Sequence, residues 1–463
     1  MDTIIRKSEF IQSVRREGSA IVWHSLFGRP KLVTDGILEI LDTFSVPMSI
    51  VEFSRIYEVN EADIAVIQQL LNDGYLIPLG FDERAQLSEA KHKALDAIES
   101  GLKVEFLELI VTESCNFRCT YCIHFNNLEM SERHSEGKKK MMQFEIAKKA
   151  VDEFFSLLKR NSKKDAVINF GGGEPLLGWP LIERVVKYCL VSYGESFSIK
   201  FTINTNASLI TEDIAKKLKK YEISVASSLD GLKNGNDKVR ISNRGGGTFS
   251  VIVAGFEKLA DVGYPLDGFS VTVDEKNFPD LDETIIDWAV SRGMKEVRVD
   301  IDVITALDLK ISDVVVKLLA FRKYAQERGV EVFGYWSRPV ENLNESPLES
   351  HVAFCGAVRG NSICVNPSGI VYSCGYSSVS LGTISDIPTL LSPDSKYQKL
   401  LERRLPGNLE MCRGCMIEGQ CGGGCEITQE FSRIDGAIKV ERMCSFYKEM
   451  TKELLLEQLQ ETS

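Results

Sequence analysis

Three cysteines stand close together in the first third of the chain, directly after an apolar run. Cys115, Cys119 and Cys122 have C-x3-C-x2-C spacing, and the apolar run occupies residues 106–111. Three thiolates on one tight loop can bind three irons of a four-iron cluster, and the fourth iron is then open to a substrate or cofactor. A structural zinc loop is the alternative, but zinc needs a fourth local ligand, for which His124 is the nearby candidate.

A second group of cysteines occupies the C-terminal third. The first is followed by thirteen residues, Gly369 and four more residues before another cysteine, and a C-x2-C-x5-C-x3-C run and a last cysteine come later. The group has eight members: Cys355, Cys364, Cys374, Cys412, Cys415, Cys421, Cys425 and Cys444. Eight thiolates are enough for two closed four-cysteine clusters, although two zinc ribbons would use the same ligands. Cys189 lies among apolar residues of a predicted helix and is expected to be inert core.

Composition excludes several classes of protein. The chain has 463 residues, is 44% hydrophobic and carries a net charge of −11, which favours two or three packed domains over a nucleic-acid-binding protein with a basic face. No apolar run of about 18 residues is present, so no transmembrane helix is expected. The N-terminus lacks the apolar core of a signal peptide. We therefore predict a cytoplasmic protein without nucleic-acid or membrane partners, whose twelve cysteines bind metal rather than form disulfides.

The elements that must position these cysteines divide the chain into four parts. Residues 1–82 are predicted to form a winged-helix-like domain, with strands at 20–27 and 31–34 around a turn at 28–30, helices at 36–44, 49–57 and 61–73, and a strand at 75–78. Residues 83–102 are predicted to be a helical linker. Residues 103–335 alternate strands and helices, and residues 336–463 hold the second group of cysteines.

The alternation in residues 103–335 predicts a parallel sheet with crossover helices. The strands are expected at 104–111, 166–170, 199–205, 223–228, 268–273 and 296–302. The helices are expected at 143–159, 177–192, 211–220, 248–262, 279–292 and 310–328. Six such units are fewer than the eight of a closed TIM barrel and match the partial (β/α)6 TIM barrel of the enzyme family that the motifs below resemble. Chemistry in barrels lies at the carboxyl ends of the strands.

Polar motifs follow three of the predicted strands. The second strand ends in Gly171-Gly172-Gly173-Glu174-Pro175, the third in Asn204-Thr205-Asn206-Ala207, and the fourth in Ser227-Ser228-Leu229-Asp230-Gly231. The motif after the third strand is a polar edge suited to a bound ligand, although Asn206 could alternatively cap the helix that follows. Asp230 and the nearby Asp237 could be turn-forming residues.

The cysteine loop and these motifs together resemble the radical S-adenosylmethionine (SAM) enzymes. In that family the open iron binds SAM, whose cleavage gives a 5′-deoxyadenosyl radical. The resemblance implies catalytic and metal-binding roles for Cys115, Cys119 and Cys122. It places Tyr121 near the adenine and assigns contacts with SAM to the residues Gly172, Gly173, Glu174, Asn206, Ser228 and Arg240.

The C-terminal cysteines resemble the SPASM domain, which holds auxiliary iron–sulfur clusters. By this resemblance Cys355, Cys364, Cys374 and Cys425 bind one cluster, and Cys412, Cys415, Cys421 and Cys444 bind another. The protein would then hold three [4Fe-4S] clusters and SAM. Without Cys364, the first auxiliary cluster would keep an open iron.

Residues 1–82 resemble the peptide-recognition element of ribosomal-peptide maturation enzymes. The leading hypothesis is therefore a radical SAM/SPASM oxidoreductase that binds the leader of a ribosomal precursor peptide, receives electrons from flavodoxin or ferredoxin, and forms a cysteine thioether. A carbon–carbon or carbon–oxygen cyclophane is an alternative product. Two other hypotheses are an anaerobic sulfatase-maturating enzyme and a non-catalytic metal-binding module for peptides or DNA. The sulfatase hypothesis is weakened because Gly375-Tyr376 follows Cys374, where many sulfatase maturases have an acidic residue. A charged loop at 133–140 is predicted to be a solvated surface or a contact with an acidic peptide.

Overall fold

The computed structural model describes residues 3–123, 141–302, 308–343, 354–435 and 438–461. His124 and the charged loop at 133–140 lie outside the described residues. Among the described residues, no helix is both long enough and apolar enough to cross a bilayer.

Two small antiparallel sheets and three helices form the N-terminal region. The strands are β1 Ile4–Lys7, β2 Ile11–Arg16, β3 Ser19–His24, β4 Gly28–Thr34, β5 Met48–Ser49 and β6 Leu76–Pro78. The helices are α1 Asp35–Thr43, α2 Ile50–Ile56 and α3 Glu61–Asn72. One sheet has the order β2-β3-β4 and the other β5-β1-β6. Capping boxes at Ser49 and Asn60 fix the starts of α2 and α3, which is why the predicted helices agree closely with the structure.

The predicted turn at 28–30 is wrong. The chain turns at residues 25–27 instead, where the amides of Leu26 and Phe27 donate to His24 Nδ1 at 3.2 and 3.3 Å. Gly28 then starts β4 with φ +71°, and a Cβ at this position would lie 2.5 Å from the carbonyl oxygen of Leu343. The glycine signals a close approach between two backbones rather than a turn.

The central region is a twisted sheet of parallel strands with helices on its outer side. Its strands are β7 Phe106–Thr112, β8 Asp165–Gly172, β9 Ser198–Asn204, β10 Ser224–Ala226, β11 Gly268–Val273, β12 Glu296–Ile301 and β13 Glu331–Phe333. The order β10-β9-β8-β7 is parallel, as is β11-β12-β13, and a parallel bridge between Ser228 and Ser270 joins the two groups. All six predicted strands are present, and β13 is an additional short strand that the sequence analysis missed.

Helices precede and follow these strands in the chain. They are α4 Glu83–Glu99, α5 Phe144–Arg160, α6 Trp179–Tyr193, α7 Glu212–Lys220, α8 Lys233–Val239, α9 Phe249–Asp261, α10 Thr284–Ser291 and α11 Ile311–Gln326. The predicted start of α10 at 279 is too early, because Phe278–Asp280 forms a separate 3-10 turn. The mixed α/β fold agrees with the predicted partial barrel.

The C-terminal region continues the barrel sheet. Its strands are β14 Ser362–Val365, β15 Ile370–Tyr372 and β16 Gly382–Thr383, and β14 pairs in parallel with β7. The helices are α12 Arg338–Leu343, α13 Gly356–Arg359, α14 Lys396–Arg403, α15 Glu418–Cys421, α16 Glu426–Asp435 and α17 Ile438–Glu461. The pairing of β14 with β7 places the C-terminal cysteines beside the strand that leads into the Cys115 loop.

The N-terminal region is packed onto the rest of the molecule. Val14, Ile21 and Trp23 belong to the same buried cluster as the barrel core. The indole Nε1 of Trp23 donates to the carbonyl of Met416 at 2.8 Å, and both β2 and β3 contact α17. The peptide-recognition candidate is thus attached to the C-terminal cysteine region by a buried interface.

Candidate functional site

The Cys115–Cys122 loop leaves the carboxyl end of β7 and lies against residues 239–243. The amide of Arg118 donates to Ile241 O at 2.7 Å, and the amide of Thr120 donates to Val239 O at 2.9 Å. The amide of Phe117 donates to Cys115 Sγ at 3.3 Å. These bonds fix the backbone of the loop independently of any metal.

The glycines after β8 allow this strand to lie against the cysteine loop. Gly172 has φ +125°, and a Cβ there would be 2.3 Å from Thr112 O; a Cβ on Gly173 would be 2.3 Å from Ser114 O. The amide of Gly173 donates to Thr112 O at 2.8 Å. A side chain at either position would separate β8 from the loop.

Glu174 joins the ends of β8 and β9. Its buried carboxylate accepts from Thr205 Oγ1 at 2.6 Å, from the amide of Asn206 at 2.8 Å and from the amide of Leu176 at 3.0 Å. Burial raises the pKa of this carboxyl, and the three hydrogen bonds oppose the rise. The family resemblance implied a contact between Glu174 and SAM; in the structure the Glu174 carboxylate holds two strand ends together.

Asn206 lies beside the first cysteine. Its Nδ2 donates to Asn116 Oδ1 at 2.9 Å and lies 3.9 Å from Cys115 Sγ. The alternative role as a helix cap is wrong for α7, since Thr211 accepts from the amide of Ile214 and caps that helix. Asn206 therefore belongs to the surroundings of the cysteine loop.

Asp230 organises the other side of the loop. Its Oδ2 lies 2.7 Å from Arg240 Nε and accepts from the Tyr121 hydroxyl, and its Oδ1 accepts from the amide of Thr272 at 2.8 Å. The Arg240 guanidinium lies 5.7 Å from the centre of the Tyr121 ring. Burial raises the pKa of Asp230, and the charge of Arg240 opposes this. Asp230 is thus a buried counter-ion rather than a turn-forming residue.

Asp237 has a different role from Asp230. Its Oδ1 accepts from the amides of Thr248 and Phe249, both at 2.8 Å, at the start of α9. The turn-forming alternative is wrong for Asp237, because this residue lies within α8 and holds the start of α9. Ser228 is half-buried and forms the bridge that joins β10 to β11.

The auxiliary cysteines form two neighbourhoods. The thiols of Cys412, Cys415 and Cys444 all act electrostatically on Cys421. In a separate neighbourhood, Cys355 and Cys425 add to the raised pKa of Cys374, and Cys355 adds to the raised pKa of Cys425. Burial is the main cause of the raised pKa of each affected thiol, to about 12 for Cys425.

Cys364 differs from the other predicted ligands. It is buried and is the register partner of Glu108 across β14 and β7, and after burial the nearby Glu108 carboxylate is the largest cause of the raised pKa of its thiol. It also packs with Ile110 and Tyr372. Cys364 is near Cys374, but in the structure its thiol also lies near a carboxylate.

Two residues that the sequence analysis did not assign to the site lie between the cysteine groups. Glu108 accepts from the amide of Gly375 at 3.0 Å and from Asn169 Nδ2 at 3.2 Å. Tyr376 is 49% exposed, and its pKa is raised by burial and by the nearby Glu108, Cys122 and Cys374, so its side chain lies close to both cysteine groups. A signal for Glu108 was present, because it is the one charged residue of the apolar run 106–111.

The donor set fits iron–sulfur clusters. In a four-iron cluster each thiolate binds a different iron, which suits three thiols on one short loop. Three side chains beside the auxiliary cysteines also keep buried polar atoms without hydrogen-bond partners among the described residues: Ser373 Oγ, Thr428 Oγ1, and Nε and Nη1 of Arg404. Cluster sulfur could accept from these donors.

Comparison with known proteins agrees with this chemistry. Residues 109–287 match the model of the radical SAM superfamily. The radical SAM cyclopropyl synthase TigE of Paramaledivibacter caminithermalis is 26% identical over 97% of this chain and 95% of its own length. An uncharacterized protein of Methanocaldococcus jannaschii is 30% identical over 63% of this chain and 93% of its own length.

Solved structures share the fold. The enzyme anSMEcpe, with bound AdoMet and a peptide, superposes with a TM-score of 0.61 and 18% identity over 78% of this chain and 99% of that one. SuiB of Streptococcus suis, bound to the precursor peptide SuiA, has a TM-score of 0.52 and 13% identity over 92% of this chain and 97% of that one. Because the family model spans the cysteine loop and most of the barrel, and a relative matches over nearly its whole length, the chain belongs to the radical SAM superfamily, whose enzymes use a [4Fe-4S] cluster and SAM.

Proposed function

We propose that this protein is a maturase that removes two hydrogen atoms from a ribosomally made precursor peptide and forms a new bond within it. The observation that carries the proposal is the position of Tyr376, which lies near both Cys122 of the loop and Cys374 of the C-terminal group. A substrate beside Tyr376 would be within reach of both cysteine groups. A non-catalytic metal-binding module would not require a substrate position close to both cysteine groups.

The barrel residues would hold and orient SAM. Cys115, Cys119 and Cys122 would bind the [4Fe-4S] cluster, which together with SAM supplies the 5′-deoxyadenosyl radical. Because the Glu174 carboxylate already has three protein donors, the backbone carbonyls of Gly172 and Gly173 are the acceptors left for the SAM ammonium. Arg240, fixed by Asp230, would bind the SAM carboxylate, with Tyr121 at the adenine and Ser228 and Asn206 at the ribose.

The C-terminal cysteines would hold two further [4Fe-4S] clusters. Cys412, Cys415, Cys421 and Cys444 would bind one, and Cys355, Cys374 and Cys425 would bind the other. The predicted role of Cys364 as a fourth ligand of the latter stays a prediction, because its thiol lies near Glu108. These clusters would supply the acceptor for the electron that bond formation releases, while flavodoxin or ferredoxin would supply the electron that SAM cleavage consumes.

Residues 1–82 would bind the peptide leader by strand addition. In the sheet β2-β3-β4 the edge strands are β2 and β4, and β2 is covered by α17. The start of β4 lies against α12 at Gly28, and further along the strand Leu32 has an exposed fraction of 55%, so this part of β4 is the candidate edge. Residues 83–102, 103–335 and 336–463 would form the linker, the SAM barrel and the auxiliary-cluster domain.

The bond formed is a carbon–carbon or a carbon–sulfur bond. Similarity over nearly the full length to a cyclopropyl synthase favours carbon–carbon ring closure, and the predicted cysteine thioether is the second candidate. In both, one hydrogen atom goes to the deoxyadenosyl radical, and one proton and one electron leave as the bond closes. The two products therefore have the same mass and differ in whether a cysteine thiol is consumed.

An assay with precursor peptides tests the proposal. Anaerobically reconstituted protein is incubated with SAM, a reductant and a candidate precursor from a neighbouring reading frame, with or without its leader. We expect deoxyadenosine together with peptide that has lost two hydrogens, and a yield that depends on the leader at limiting peptide concentration. Thiol alkylation before mass spectrometry separates the two bond types.

Matched surface variants test the leader site in the same assay. Leu32→Asp should raise the apparent KM for leader-bearing peptide about tenfold, which corresponds to about 1.4 kcal/mol. Val191→Asp changes an apolar residue that is 86% exposed on α6 and should have no effect. Deoxyadenosine without any change in peptide mass, for every precursor tried, would contradict a peptide-modifying function.

A further inference from the structure

A fully buried arginine lies between the two auxiliary cysteine neighbourhoods. Arg404 follows α14 and has 0% of its surface exposed. Its Nη2 donates to the carbonyl of Gly424. Its Nε and Nη1 have no hydrogen-bond partner among the described residues. Burying an ion whose donors are unused is costly, so the position calls for an acceptor that the protein does not itself supply.

The carboxylate nearest to Arg404 does not satisfy it. Glu426 Oε2 lies 3.4 Å from Arg404 Nη1, without hydrogen-bond geometry. The other oxygen, Oε1, accepts from Arg403 Nη2 at 2.8 Å. The Glu426 carboxylate is thus shared between two guanidinium groups and makes no hydrogen bond to Arg404.

The Arg404 guanidinium lies against the segment that carries two of the auxiliary cysteines. Its Nη2 donates to the carbonyl of Gly424, which lies between Cys421 and Cys425 in the chain. The backbone is shaped to admit the guanidinium: Gly423 has φ +83°, and a Cβ there would lie 3.3 Å from Arg404 Nη1. The arginine is therefore placed against the segment that connects Cys421 to Cys425.

We propose that Arg404 is a redox-positioning residue, which donates its free N–H groups to the sulfur of the cluster held by Cys412, Cys415, Cys421 and Cys444 and stabilises the reduced form of that cluster by its charge. This rests on the proposed function, which places a cluster at these cysteines. Reduction adds one electron to the cluster, so a cation and hydrogen bonds at its sulfur atoms raise its reduction potential. A higher potential favours the cluster as acceptor of the electron that bond formation releases.

Potentiometric titration followed by electron paramagnetic resonance (EPR) tests this in the full-length, reconstituted protein. Arg404→Gln removes the charge, Arg404→Lys keeps the charge but loses the planar set of donors, and Arg403→Gln is the matched control, since Arg403 is 40% exposed and screened by solvent. In Arg404→Gln the equilibrium constant for reducing this cluster should fall at least tenfold, a shift of 59 mV to lower potential for a one-electron couple. Arg404→Lys should shift less, and Arg403→Gln should match the wild type.

Iron and sulfide counts distinguish an error in the cluster assignment from an error in the role of Arg404. If the wild type holds only about four irons, the cluster assignment in the proposed function is wrong. If the wild type and both Arg404 variants hold all their iron and share one potential, the role of Arg404 is overturned while the cluster assignment stands.

A measurement on the unmodified site covers the case in which Arg404→Gln loses the cluster. Protein labelled with 15N only in arginine, carrying Arg403→Gln, should show 15N coupling to the reduced auxiliary cluster in pulsed EPR. The absence of that coupling would overturn the proposal.

Discussion

The two cysteine groups are built in opposite ways. Cys115, Cys119 and Cys122 occupy one short loop, held by backbone hydrogen bonds to residues 239–243. The auxiliary cysteines are spread from residue 355 to residue 444 and reach their neighbours only through tertiary packing. The loop cysteines are all half-buried, whereas three of the auxiliary cysteines are fully buried: Cys364, Cys412 and Cys421.

This difference matches two kinds of redox site. A site that must bind and cleave a small molecule needs one open coordination position and access to it, and a short loop at a strand end gives both. A site that only accepts electrons can be enclosed, and enclosure together with a buried cation sets its potential. The contrast predicts that the two groups can be disabled separately.

The largest effect is expected from the loop. Replacing Cys115, Cys119 and Cys122 together with Ala should abolish deoxyadenosine formation and lower the iron content by about four per chain. The auxiliary clusters should remain, because their ligands lie on other elements. Product analysis and iron counting on one preparation measure both effects.

The reciprocal change is the control. Cys412→Ala should keep deoxyadenosine formation and lose the modified peptide, provided that the variant stays folded and keeps its other clusters by iron count, since loss of a ligand can unfold a metal-held region. If SAM cleavage falls in parallel with peptide modification, the auxiliary group only supports the barrel.

The sequence predicted the loop group better than its surroundings. The C-x3-C-x2-C spacing and the glycine motif are local, and their chemistry follows from residue type. The role of Asp230 could not be read from its local sequence, which also allowed a turn-forming residue. Only the fold shows that its carboxylate pairs with Arg240 and accepts hydrogen bonds from Tyr121 and the amide of Thr272.

A smaller effect is expected when this buried ion pair is broken. Asp230→Asn keeps the shape of the side chain but leaves Arg240 without its counter-ion, which typically costs about 3–5 kcal/mol in buried pairs. SAM should bind at least tenfold more weakly, because Arg240 and Tyr121 lose their common anchor. Calorimetric titration of SAM into the reconstituted protein measures the change.

Asp237→Asn separates stability from binding. Asp237 caps α9, so its substitution should cost only about 1 kcal/mol of stability and leave SAM affinity unchanged. Equal losses of SAM affinity in both variants would mean that Asp230 acts through general stability alone.

The auxiliary group shows what sequence spacing cannot decide. Spacing gave eight candidate ligands, but it could not show that β14 would pair in parallel with β7 and set Cys364 opposite Glu108. That pairing joins residues more than two hundred positions apart, and no local pattern encodes it. The same pairing brings the carboxylate of Glu108 to the amide of Gly375, beside the position where sulfatase maturases carry an acidic residue.

The smallest effect is expected at Cys364. If its thiol belongs to the Glu108 hydrogen bond, Cys364→Ser should keep the full iron content and the EPR signals of all clusters, because a hydroxyl can also donate to the carboxylate. Cys374→Ser is the matched control from the same sheet and should lose about four irons. If Cys364→Ser loses iron as Cys374→Ser does, Cys364 is the fourth ligand, and its thiol must leave Glu108 when the cluster is bound. Retained iron would instead place Cys364 with Glu108, and would mean that one iron of that cluster has no cysteine ligand and is open to another molecule.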